Sequence, residues 1–222
     1  MPSAIKLEGV TVDFDGHIAL SNISLELNAK SVAVIGVNGS GKSTFARLLN
    51  GLVKPTTGTI TVAGKKPDVS NVGFVFSNPD LQIVMPTVYE DVAFSLTNQK
   101  LSKHEVRSRV EAALRMVGLL ELQESNCHTL SSGQKQLLAI ASGMVREPMV
   151  LVADEPTTLL DLPNTKLITE VLHKLKLEQL LLVTHDLELA ATCQEVVWFE
   201  KGVIRKAGKP SKVIAEYVSS FK

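Results

Sequence analysis

Apolar positions along this chain follow two rhythms. Runs at 5–14, 23–27, 32–35, 58–62 and 72–76 read as strands. Turn formers separate them: Asp15-Gly16, residues 55–58 and residues 64–68. A single helical run, 44–49, interrupts this first part. The period then changes. Ser102-Lys103-His104-Glu105 is a capping box, with Ser at the N-cap and Glu at the third helical position. Val106, Val110, Ala113, Leu114 and Val117 fall on one face of the helix that follows, and Gly118 ends it. From residue 150 onward, strands at 150–153, 180–184 and 196–200 alternate with helices at 164–175 and 187–192. That alternation predicts an α/β core with a mostly parallel sheet. The early strands predict an N-terminal antiparallel β region, and residues 87–145 a helical subdomain inserted into the core. A single domain spanning residues 1–222 is expected to hold all of these parts.

Composition narrows the function. Apolar residues make up 45% of the 222, enough for a sizeable core, and the net charge is +0. A balanced charge gives no electrostatic case for nucleic acid or an anionic membrane. Aromatic residues are only 5%, so stacking platforms for bases are not expected. Cys127 and Cys193 are far apart and lack metal-ligand spacing, which suits reduced thiols in a cytosolic protein. Residues 1–6 show no signal-peptide pattern. No apolar run approaches the ~18 residues that span a bilayer, so any membrane role must come through a partner.

Residues 36–44 carry the strongest chemistry: Gly-Val-Asn-Gly-Ser-Gly-Lys-Ser-Thr, a match to G-x-x-x-x-G-K-[ST]. An apolar, β-branched run precedes it and a helical run follows it, the context this phosphate loop requires. Gly36, Gly39 and Gly41 let the backbone curl so that its N–H groups, including those of Asn38 and Ser40, face an anion. The following helix adds its positive end. Lys42 is expected to reach the β- and γ-phosphates, Ser43 to bind Mg²⁺, and Thr44 to offer the next hydroxyl.

Downstream residues extend this site. Residues 150–155 form an apolar strand ending in two carboxylates. Asp154 is placed to hold Mg²⁺ through water, and Glu155 is free to polarise an attacking water as general base. His185 ends another strand and can bridge the γ-phosphate and that water. Leu130-Ser131-Ser132-Gly133-Gln134 opens a helix with Ser131 at the N-cap, where Ser131 and the Gly133 amide can bind phosphate.

Taken in order, these motifs resemble an ABC-type ATPase, the nucleotide-binding subunit of a transporter, over nearly the whole chain. The resemblance implies a P-loop NTPase core, ATP and Mg²⁺ as ligands, and a Walker A loop at 36–44. It makes 130–134 the signature sequence, with Gln134 its last residue, and Asp154 and Glu155 the Walker B pair. Pro156-Thr157 follows, then a D-loop ending in Leu160-Asp161 and the switch His185. Phe14 sits where such proteins stack an aromatic on adenine. A GTPase is excluded by the missing N-K-x-D motif.

Residues 74–82 and 86–94 look like the energy-coupling-factor (ECF) group, whose ATPases power uptake of vitamins and transition-metal ions. The short C-terminal part is similar to the compact ATPases of dedicated systems for biotin or for cobalt and nickel, biotin being favoured. The resemblance implies a dimer, homomeric or with a related ATPase. ATP then lies between Walker A of one subunit and the signature of the other, with Asp161 communicating across the interface. It also implies a transmembrane coupling protein, a membrane substrate-binding protein and a peripheral position at the cytoplasmic face. Asp80, Glu90 and Asp91 are candidate docking acids. Two departures stand out. Ser77 replaces the Q-loop glutamine, for which Gln82 or a water is a candidate substitute, and Ser132 replaces a signature glycine. The competing readings are a soluble ABC-type ATPase acting on nucleic acid or the ribosome, and a P-loop small-molecule kinase. The first lacks the usual coiled-coil insertion or second cassette, and the second leaves the signature and His185 idle.

Overall fold

The structure is a computed structural model that describes residues 5–221. Residues 1–4, part of the stretch read for a signal peptide, and Lys222 lie outside the described residues. Along the chain run β1 (Ile5–Phe14), β2 (His17–Leu27), β3 (Ser31–Ile35), α1 (Lys42–Leu49), β4 (Thr57–Val62) and β5 (Val72–Val75). Three helices follow: α2 (Val88–Phe94), α3 (Lys103–Val117) and α4 (Ser132–Met144). Then come β6 (Val150–Asp154), α5 (Leu162–Lys174), β7 (Gln179–Val183), α6 (Leu187–Ala191), β8 (Glu195–Glu200), β9 (Val203–Gly208) and α7 (Pro210–Ser219). Two compact units result. The first takes in residues up to 72, 149–155 and from 177 onward; the second takes in 73–148 and 156–176.

The first unit holds two sheets. β1 pairs antiparallel with β2 and with β4, giving the order β2-β1-β4. Asp15 and Gly16 both have positive φ, 51° and 92°, the backbone twist that closes a tight hairpin. β2 begins at His17, earlier than the apolar run at 23–27, because the hairpin ladder continues through its polar positions. The second sheet runs β6-β7-β3-β8-β9 in this unit. Its first four strands are parallel, and β9 returns antiparallel. β3, β6 and β7 are buried almost throughout. Strands covered on both faces read as continuous apolar runs, which is why these were legible. α1 packs on this sheet through Phe45, whose ring lies 5.0 Å from that of Phe199; both are fully buried. β9 escaped sequence reading. Its residues alternate between exposed and half-buried, and Arg205 and Lys206 make it a charged edge rather than an apolar run.

The second unit is mostly helical. α3 packs on α4, and α2 on both. Capping boxes open three helices: Thr87 with Glu90, Ser102 with Glu105, and Ser131 with Gln134. Asp91, on α2, is 3% exposed. Its carboxylate accepts the amides of Val84 (2.8 Å) and Met85 (3.2 Å) and the Ser142 hydroxyl (3.2 Å). Asp91 therefore has no free carboxylate to offer a docking arginine, contrary to the sequence expectation. It is an internal tie for the loop before α2.

Candidate functional site

In the first unit, β3 delivers the chain from the buried sheet to the loop at 36–41, and α1 carries it away. Two glycines are required by close approach. A Cβ on Gly36 would lie 2.3 Å from the Phe199 carbonyl oxygen, and one on Gly41 would lie 2.8 Å from that of Ala19. Gly41 also has φ 105°, which L side chains rarely adopt. The Lys42 ammonium is folded onto the loop, donating to the carbonyls of Gly36 (2.8 Å) and Val37 (3.0 Å). Burial lowers its pKa, and the Glu155 and Asp154 carboxylates oppose that shift. Ser40 Oγ is buried with no hydrogen-bond partner among the described residues.

The carboxylates meet this loop. Ser43 Oγ donates to Asp154 Oδ1 at 3.2 Å. Burial pushes the Asp154 carboxyl up, and the Ser43 hydrogen bond works against the shift. Glu155 follows at φ 54°, its amide donating to the Val183 carbonyl at 2.8 Å. Its Oε2 lies 2.7 Å from His185 Nδ1. An ionised carboxylate can only accept, so the shared proton belongs on Nδ1. Sequence reasoning expected Glu155 and His185 on one edge, and the structure brings them into contact.

A cavity of about 560 Å³ opens beside these groups. Asn38, Gly39, Gly41, Lys42, Ser43, Thr44 and Glu155 line it on the side of the glycine-rich loop. Phe14, His17, Ile18 and Ala19 form another wall, and Lys201 with Gly202 a third. Phe14 is 48% exposed, so its ring is free to stack. Gly36 and Ser40 belong to the loop but are not part of this lining. His17, Lys201 and Gly202 were not singled out from sequence; the only signal for the last two was a Lys-Gly turn dipeptide directly after the strand read at 196–200.

The signature and D-loop residues lie together in the second unit. Ser131 Oγ accepts the Gln134 amide (3.3 Å) and Gln134 Oε1 accepts the Ser131 amide (2.9 Å). Asp161 caps α5, accepting the Asn164 amide (3.0 Å) and side-chain Nδ2 (2.7 Å). Asn164 in turn packs on Gly133, where a Cβ would come within 2.1 Å of its Oδ1. Gly133 is thus needed for close packing, and Asn164 is a link that sequence reasoning missed.

The Q-loop departure also resolves. Gln82 Oε1 accepts the Phe76 amide (3.1 Å), while Nε2 donates to the carbonyls of Phe74 (3.3 Å) and Ala139 (2.9 Å). Both ends of its carboxamide are engaged inside the second unit. Gln82 therefore does not substitute for the glutamine absent at Ser77. Ser77 lines a cavity of about 140 Å³ with Asp80, Ser132, Lys135 and Gln136. Asp80 is paired with Lys135 at 2.7 Å, and Glu90 serves its capping box.

Among the described residues, no cluster of three or more His, Cys, Asp or Glu could hold a metal. Ser43 and Asp154 do fit Mg²⁺ of the kind that takes one or two protein oxygens and fills the rest from phosphate and water. No helix among the described residues is long and apolar enough to cross a membrane.

The family model for the ABC transporter matches residues 20–158. The chain belongs to the ABC transporter ATP-binding family. This ABC ATPase is an ATP-hydrolysing transport subunit. It is 41% identical over 218 residues to the biotin transport ATP-binding protein BioM of Rhizobium etli, covering 96% of this chain and 97% of that one. Its fold is similar to that of cbiO1 from Clostridium perfringens, part of the ABC transporter complex cbiONQ. That match has TM-score 0.88 and 34% identity, over 98% of this chain and 92% of the other. A dimeric ATP-binding cassette in a post-hydrolysis state, bound to ADP and Pi, matches with TM-score 0.79 and 28% identity, over 93% and 98% of the two chains.

Proposed function

We propose that this ABC ATPase energises an ECF-type importer of a vitamin, biotin first, or of a transition-metal ion. The near-full-length likeness to the Rhizobium etli biotin transport protein carries this reading. In it, the chain pairs with a second ABC ATPase subunit, identical or related. It sits peripherally at the cytoplasmic face against a transmembrane coupling protein and a membrane substrate-binding protein. The two units described here act as one ATP-binding domain.

The site supports the chemistry as follows. ATP phosphates enter the cavity beside residues 36–44, and Lys42 exchanges the Gly36 and Val37 carbonyls for phosphate oxygens. Phe14 stacks on the adenine. Ser43 and Asp154 hold Mg²⁺, which supplies positive charge against the transferring phosphoryl group. Glu155 accepts the proton of the attacking water. His185, hydrogen-bonded to Glu155, holds that carboxylate in place. Ser131 and Gly133 of a second subunit close the site, and Gln134 and Asp161 brace them through the caps of α4 and α5. One ATP site therefore takes two chains, and opening and closing of that dimer is the motion passed to the membrane partners.

Affinity purification of the tagged chain from its native membranes tests the assignment. Two integral membrane proteins are expected to come down with it, and vesicles holding the complex should take up labelled biotin on addition of ATP. A complex with no integral membrane protein refutes the importer reading. A complex that transports cobalt or nickel but not biotin keeps the importer and corrects the substrate.

A further inference from the structure

One wall of the cavity comes from outside the phosphate loop. In the β8–β9 ladder Glu200 lies opposite Val203, so Lys201 and Gly202 form a two-residue hairpin turn. Both have positive φ, 48° and 78°. That pattern marks the type I′ turn, which favours Asn-Gly, Asp-Gly or Gly-Gly because both central residues are left-handed. Gly202 meets the requirement and cannot be replaced. A Cβ there would lie 2.8 Å from the Ala19 carbonyl oxygen. Its amide donates to the Ser40 carbonyl (3.0 Å), and its carbonyl accepts the Ser21 amide (2.8 Å). The turn is thereby pinned to the phosphate loop on one side and to β2 on the other.

Lys201 does not suit the turn. A long side chain at a left-handed position is strained, where Asn or Asp is tolerated. Yet this strained residue lines the same cavity as Lys42, Thr44 and Phe14. Strain kept at the wall of a site points to a use for the residue that carries it. Lys201 is exposed, and no carboxylate pairs with its ammonium among the described residues. The Lys42 ammonium, by contrast, is held by two loop carbonyls.

We propose that Lys201 is a binding residue for ATP, its ammonium contacting a phosphate oxygen from the hairpin side of the cavity. The contact rests on the reading of that cavity as the ATP site. Its physical role is to bring a second cation to the polyphosphate from a rigid turn rather than from the loop itself. The turn's bond to Ser40 sets the distance between the two.

The full-length chain tests this with a fluorescent ATP analogue titrated at low and high salt, alongside nucleotide-free melting temperatures. Parent, K201N, K201R and K42A are compared. K201N should melt higher than the parent, because Asn relieves the turn. It should bind the analogue about tenfold more weakly at low salt, the scale of one charge-assisted hydrogen bond. That deficit should shrink at high salt. K201R should restore binding to within about twofold, since a guanidinium also serves phosphate. A K201N chain that binds within about twofold of the parent overturns the proposal. K42A separates the two levels. If K42A loses binding and K201N does not, only the Lys201 contact is wrong. If neither loses binding, the cavity is not the ATP site, and the proposal falls with it.

Discussion

Removing the Asp91 carboxylate should loosen the helical unit by an amount that the structure lets one work out. Asp91 is 3% exposed and accepts three hydrogen bonds, from Val84, Met85 and Ser142. Hydrogen bonds to a charged group are each worth about 1.5–3 kcal/mol net, and an orphaned buried partner costs about 1–3 kcal/mol. Val84 is 60% exposed, so water can recover its amide when the carboxylate is gone. The Ser142 hydroxyl, in a residue 8% exposed, has less recourse. These considerations set the cost of Asp91→Ala at about 3 kcal/mol, or roughly a hundredfold in the opening equilibrium. Asp91→Asn keeps an acceptor for the two amides and gains a donor for Ser142, so it should cost about 1 kcal/mol.

Cys127 reports this opening from within the same unit. It is 1% exposed, and burial, seconded by the Asp91 charge, pushes its thiol up to about 11. In the closed protein it should therefore be inert to a thiol reagent near neutral pH. With Cys193 changed to Ser, the labelling rate of the full chain tracks the opened fraction. Asp91→Ala should label about thirty times faster than Asp91→Asn, following the difference of about 2 kcal/mol between them. Both variants delete the charge that raises the thiol pKa, so their ratio isolates the hydrogen bonds. Equal rates for the two, within about threefold, would refute the argument that these bonds hold the unit shut.

Glu155→Gln keeps the backbone at φ 54° and a side chain of the same shape, but removes the carboxylate proposed as proton acceptor. It should still bind ATP, stay closed as a dimer and lose turnover by about 10²–10⁴-fold. Phosphate release at the parent rate would show that the base lies elsewhere. A second expectation concerns pH. Burial pushes both Cys127 and Cys193 up from 9.0 to about 11. Between those values the unfolded chain has released protons that the folded chain still holds. Folding stability is therefore fully present below pH 9 and lost as pH rises towards 11. The loss is on the order of 2 kcal/mol per thiol at the upper end. Urea midpoints of the parent and a double Cys→Ser variant, compared from pH 8 to 11, should diverge, the variant falling less steeply. Parallel curves would count against the burial of the thiols.

Much of the candidate site was legible because its chemistry is local. A strand, three glycines, a lysine and two hydroxyls must be consecutive to cradle a phosphate, so residues 36–44 announce themselves. The capping box at Ser102 follows from residue type at a spacing of three, and the N-cap at Ser131 from its place before a helical run; both formed. Asp154 and Glu155 were found because an apolar strand must end somewhere, and two carboxylates at that end are out of place in a core. Less legible were elements whose side chains half face solvent, such as β9, and the first residues of β2. Their apolar pattern is diluted by charges and bulges that only the partner strand explains.

By itself, the sequence determined which segments become buried strands, where the glycine-rich loop between β3 and α1 lies and which acids and histidine end the neighbouring strands. These depend on burial and backbone geometry within a few residues. Tertiary structure alone decided what each remaining polar group does. Gln82 looked free for the nucleotide and is consumed by Phe76, Phe74 and Ala139. Asp91 looked like a docking acid and ties down a loop. Asn164 looked like an ordinary helix residue and fills the space that Gly133 leaves open. Lys201 is 159 residues from Lys42 in the chain and shares a cavity with it. The physical reason is common to all four. A hydrogen bond or a charge contact acts over about 3 Å, and which groups come that close is set by strand order and helix packing across long stretches of chain.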